Sequence, residues 1–98
     1  MIHTQLGSES LTVADTAIGF ASIPTTGRLY YALCRVETAT IRINSKDTPT
    51  ALGTEGSPEK IVSEEFEVWG EPDIRGFKAI RTTATSGVLR ILYFGEPA

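Results

Sequence analysis

The chain has 98 residues, nine Lys and Arg against twelve Asp and Glu, a formal net charge of −3 and 41% hydrophobic residues. That length fits one domain, 1–98, and size scaling buries about 64% of the unfolded chain's surface, enough for a core without metal or disulfide staples. The acidic balance argues against a nucleic-acid binder, no apolar run approaches the ~20 residues that span a bilayer, and a lone cysteine fits a reducing cytoplasm.

The first residues, Met1-Ile2-His3-Thr4-Gln5, carry neither a basic n-region nor an apolar h-region, so no signal peptide is expected. Residues 1–10 read as an arm or a disordered end. Beyond them the period-2 signal dominates and no amphipathic helical window stands out. Strands are expected at Leu11–Ala14, Ala17–Ala21, Leu29–Glu37, Ala39–Asn44, Ile61–Trp69, Ile74–Thr83 and Val88–Phe94, separated by Gly, Pro, Ser, Thr and Asp clusters. About seven short strands at this spacing predict an all-β domain with essentially no helix, an antiparallel β-sandwich or a jelly-roll-like small barrel. The stretch Ser45–Glu59, with Pro49, Gly53, Gly56 and Pro58, is the longest loop and a candidate for function or for packing on a neighbour.

Candidate interface residues follow from the alternation. Leu29–Glu37 is apolar on both faces, with Tyr30, Ala32, Cys34 and Val36 on one and Leu29, Tyr31 and Leu33 on the other. Such a strand is either central and covered within the domain or buried against a partner. Closing Ala84–Gly87 as a hairpin pairs Thr83 with Val88, Arg81 with Arg90 and Phe77 with Phe94. One face of that hairpin then carries Ile80, Leu89, Ile91, Thr82, Lys78 and Tyr93 as core. The other carries Phe77, Ala79, Leu92 and Phe94 beside the two arginines, which a two-layer fold leaves uncovered. Like charges directly opposite destabilise a pair, so Arg81 and Arg90 are expected to meet acids, from Glu64, Glu65 or Glu67 or from another molecule. A one-residue bulge would redistribute these faces.

The chemistry of catalysis is sparse. His3 is the only histidine and lies near an end, so no nucleophile–histidine site is expected, and one His with one Cys is no zinc site. Cys34 alternates with apolar neighbours and reads as a small buried hydrophobe. Glu65 and Glu67 point the same way, about 6.8 Å apart by the strand rise, which read as a solvated face rather than as a glycosidase pair. Asp47, Glu55 and Glu59 offer oxygen to calcium but match no EF-hand spacing. Trp69, Tyr30 and Tyr31 could form a sugar platform if exposed and coplanar, or serve as core and interface aromatics. No catalytic, metal or cofactor residue is assigned.

The order of motifs resembles a known class. Ala32-Leu33-Cys34-Arg35-Val36-Glu37-Thr38-Ala39-Thr40-Ile41-Arg42-Ile43 is followed by the loop Lys46-Asp47-Thr48-Pro49-Thr50-Ala51. Then come Ile74-Arg75-Gly76-Phe77-Lys78-Ala79-Ile80-Arg81, Ala84-Thr85-Ser86-Gly87-Val88-Leu89-Arg90-Ile91 and a final Tyr93. Over roughly residues 29–94 this is similar to the small all-β virion proteins of tailed bacteriophages, with Asp47-Thr48 standing where that class has Asp-Gly. The resemblance implies a non-enzymatic structural component of a phage particle, a head decoration or cement protein stabilising neighbouring capsid subunits, or a neck or tail accessory. It implies capsid or tail proteins and further copies of the chain as partners, and a virion location after synthesis in the host cytoplasm. A carbohydrate- or surface-binding β-sandwich module is the alternative.

Overall fold

In a computed structural model, residues 4–45 and 59–97 are described. They form strands β1 (Thr4–Val13), β2 (Arg28–Glu37), β3 (Ile41–Asn44) and β4 (Glu65–Trp69), a short helix α1 (Glu71–Gly76), and strands β5 (Lys78–Arg81) and β6 (Gly87–Glu96). The four longer strands make one antiparallel sheet in the order β1-β6-β2-β4, and β3 pairs with β5 in a second antiparallel sheet. Isolated bridges from Ile18 to Ala79 and from Ile41 to Lys60 widen this small layer on both sides. Among the described residues the all-β expectation therefore holds as two sheets, with six strands instead of about seven.

Alternation builds the core between them. Leu11 and Val13 of β1, Ala32, Cys34 and Val36 of β2, and Leu89, Ile91 and Tyr93 of β6 are all buried. They form one cluster with Ile41 and Ala79 of the small sheet and with Ile74 and Phe77. Such a shared interior is what makes each sheet stable, since a two-stranded ribbon alone is marginal in water.

Several expected elements change. The end read as an arm is, from Thr4 onward, the edge strand β1. Ala17–Ala21 contributes a single bridge rather than a strand. The start of the expected Ile74–Thr83 strand is α1, opened by Pro72 in its first turn and carrying an Arg75–Glu71 ion pair at 3.3 Å one turn apart. The expected C-terminal hairpin does not form. Arg81 sits opposite Ile41 in β3, whereas Arg90 sits between Ser10 of β1 and Arg35 of β2. The segment between β5 and β6 thus crosses from one layer to the other. Residues 46–58, most of the long loop, lie outside the described residues, as do Asp47 and Glu55 with their calcium reading and His3. Glu59 pairs with Arg42 at 3.8 Å.

Candidate docking face

The outer face of the four-stranded sheet is set by β2 and β6, the two central strands. Read across β1-β6-β2-β4, its side chains fall in rows: Gln5, Phe94, Tyr31 and Trp69; then Ser8, Leu92, Leu33 and Glu67; then Ser10, Arg90, Arg35 and Glu65. A fourth row holds Thr12, Val88 and Glu37. The bulge between Leu29 and Tyr31 decides which β2 residues belong to it. Leu29 is turned to the core, 6% exposed, while Tyr31 and Leu33 are partly exposed on the outside.

The first row is a ridge of rings. Phe94 and Tyr31 lie with centroids 5.0 Å apart and planes 13° apart, and Tyr31 and Trp69 at 4.4 Å and 24°. Rings that close and that parallel must overlap face to face, because side-by-side coplanar rings need more room between centroids. The ridge therefore shows mainly ring edges to solvent. Trp69 at its end is 53% exposed, and its indole Nε1–H donates to Glu67 Oε1 at 3.2 Å. Below the ridge, Leu92 is 36% exposed beside Leu33. These two, with Arg35, Glu65 and Arg90, line a shallow depression of about 220 Å³. Arg90 donates from Nε to Glu37 Oε1 at 3.1 Å; both groups are solvent-exposed, so the pair contributes under about 1 kcal/mol.

Of the eight residues expected at an interface, Tyr31, Leu33, Arg90, Leu92 and Phe94 come together on this face. Three do not. Leu29 and Phe77 are buried in the core, and Arg81 belongs to the small sheet, where its guanidinium donates to Ser86 Oγ at 3.4 Å. The acid beside Arg90 is Glu37 rather than Glu64, Glu65 or Glu67; Glu64 pairs with Lys60 at 3.2 Å. Arg35 joins the face without having been among the eight, as does Trp69, one of the aromatics offered to a core, an interface or a sugar platform. The alternation Glu65, Glu67, Trp69 already aligns the indole with two outward carboxylates, and Arg35 keeps phase with Leu33 and Tyr31.

Beneath the sheet, the interior polar groups are tied up structurally. Glu9 points inward from β1, where its carboxylate accepts hydrogen bonds from Tyr93 Oη, from Ala21 N at 3.1 Å and from Ser22 N at 2.8 Å. It anchors the 21–22 segment against the sheet. Burial, with a smaller contribution from Glu9, pushes the Cys34 thiol from 9.0 up to about 12. Burial and the Glu9 hydrogen bond likewise raise Tyr93 above its ordinary 10.0. Both groups are favoured neutral in the folded state, so the contribution of Cys34 is complete below about pH 9 and is lost as pH rises from there through about 12, while that of Tyr93 is complete below about pH 10 and is lost only above that. Native protein at pH 8 is expected to leave Cys34 unlabelled by a maleimide over hours, with full labelling in denaturant, and urea midpoints are expected to fall above pH 9. Fast native labelling would show that β2 opens locally. Among the described residues, no group of three or more His, Cys, Asp and Glu is placed to hold a metal ion.

Comparison with protein-family models, with curated proteins and with solved structures returns no match.

Proposed function

We propose that the chain is a non-enzymatic structural component of a bacteriophage particle, of the head decoration or cement kind, which works by covering the outer face of its four-stranded sheet on assembly. The observation that carries the docking part is that face: a ring ridge, a leucine pair and two arginines on a sheet whose other side already supplies the core. Aromatic residues and arginine are the types enriched where proteins meet, because rings bury area at low entropy cost and arginine stems cover apolar surface. The virion setting is supported by the resemblance over residues 29–94. The mechanism is mechanical: many copies bury apolar surface against their neighbours and raise the energy needed to pull those neighbours apart.

The carbohydrate-binding alternative asks for rings with open, coplanar faces. In the Phe94–Tyr31–Trp69 ridge the rings cover one another's faces, which disfavours that reading.

Mass spectrometry of tailed-phage particles from cells encoding this chain is expected to find it in many copies per particle. Leu92→Arg is expected to reduce incorporation at least about tenfold, while the isolated variant melts within about 3 °C of the parent because Leu92 is already partly exposed. Absence of the chain from purified particles would overturn the virion role. Normal incorporation of Leu92→Arg would remove this face from it.

A further inference from the structure

We infer that the outer face is covered by a second copy of this chain, packed about a two-fold axis that runs across the strands through the Leu33–Leu92 row. The inference rests on the docking reading above and names the occupant of the face. On both central strands the leucine is the midpoint of an equally spaced triplet: Tyr31, Leu33, Arg35 on β2 and Phe94, Leu92, Arg90 on β6. Rings therefore stand on one side of the leucines and cations on the other, each about 6.8 Å away. A two-fold axis along the row lays every strand over its own counterpart in reverse. Tyr31 then meets Arg35 of the second copy, Phe94 meets Arg90 of the second copy, and leucine meets leucine. The tall ridge of each copy falls beside the leucines of the other, and the apolar arginine stems lie over ring edges with the charged heads at the rim.

The centred alternative is disfavoured by charge and shape. An axis parallel to the strands and midway between β6 and β2 keeps each row on the same row, so Arg90 faces Arg35 of the second copy. It also sets ridge on ridge and holds the leucines apart, leaving a void. Both strand directions remain within the aligned class of sheet packing. Three strands of ten residues and one of five cover roughly 500 Å² per copy, about 1,000 Å² in all, at the lower bound for a specific interface. A reversible dimer is the expected product.

Sedimentation equilibrium of the full chain tests this, alongside incorporation into particles. The expected result is a dimer with a micromolar dissociation constant, weakened at least about tenfold by Leu92→Arg and by Leu33→Lys without loss of the folded circular dichroism spectrum. A double-mutant cycle between Phe94→Ala and Arg90→Ala is expected to show at least threefold coupling in that constant. The two lie four residues, about 13.6 Å, apart on one strand, so the coupling can arise only between copies. A monomer up to about 1 mM, or a dimer indifferent to Leu92→Arg and Leu33→Lys, overturns the inference. A dimer without the coupling overturns the axis. If the chain stays monomeric while Leu92→Arg still blocks incorporation, the face docks on another virion protein and only the second copy is lost. A dimer absent from particles instead defeats the virion role and leaves the dimer standing.

Discussion

Phe77→Ala is expected to bring the domain close to unfolding. Phe77 is 1% exposed, stacked on Phe20 at 4.2 Å with planes 6° apart, and within 6.3 Å of the Phe66 ring. Phe20 in turn meets Tyr93 edge-on at 5.7 Å, so one ring holds together the segment before β2, strand β4 and strand β6. Truncating a buried phenylalanine removes its transfer energy and leaves a cavity, about 3–5 kcal/mol against the ~5–15 kcal/mol total of a small domain. The measurement is the urea midpoint, expected to drop by about 2–3 M with the slope nearly unchanged. The same substitution separates two placements of Phe77. On a docking surface it would weaken assembly and spare the midpoint; in the core it lowers the midpoint directly.

Gly95→Ala is expected to be nearly as damaging, for a backbone reason. A Cβ at Gly95 would stand 1.9 Å from the Arg28 carbonyl oxygen and 3.0 Å from Leu6 Cδ1. Both neighbours of β6 are bulged at this level, β1 between Gln5 and Gly7 and β2 between Leu29 and Tyr31, and the carbonyl of Arg28 is carried in against β6. Backbone cannot step aside as a flexible side chain can, so the methyl must push β2 away where Arg28 pairs with Glu96. A cost of about 3 kcal/mol is expected, seen as a fall in melting temperature of about 15 °C. Gly7→Ala is the internal control: its Cβ meets only Pro24 at 3.5 Å and Tyr93 at 3.9 Å, ordinary contact distances, and its melting temperature should move by a few degrees at most.

The long central strands were legible because burial on one face imposes period 2 over enough residues to be read. Cys34 between Ala32 and Val36, and Ile91 between Leu89 and Tyr93, are buried as their alternation demands. Five of the candidate interface residues share the outer face for the same reason, being out of phase with those core positions. The helix α1 did carry a signal, Pro72 in the first turn with Glu71 and Arg75 four apart, but six residues are too few to display a helical period.

What residue alternation determined alone is the all-β class, the buried phase of β2 and β6, and the apolar character of the opposite phase. Pairing lay beyond it. Strands β5 and β6 are neighbours in sequence with a turn-rich link, the usual mark of a hairpin, yet β5 completes the small sheet with β3 while β6 enters between β1 and β2. Local turn chemistry constrains a few residues, whereas partner choice depends on apolar burial over the whole chain, and β6 is flanked along its length by two ten-residue strands. The bulge at Tyr30 is likewise tertiary: it lies where Arg28 approaches Gly95 closely, and it turns Leu29 to the core while leaving Tyr31 to stack between Phe94 and Trp69. Alternation supplied the residue types of the outer face; only the strand order and that one-residue shift aligned them as a ridge of rings, a leucine pair and a row of arginines.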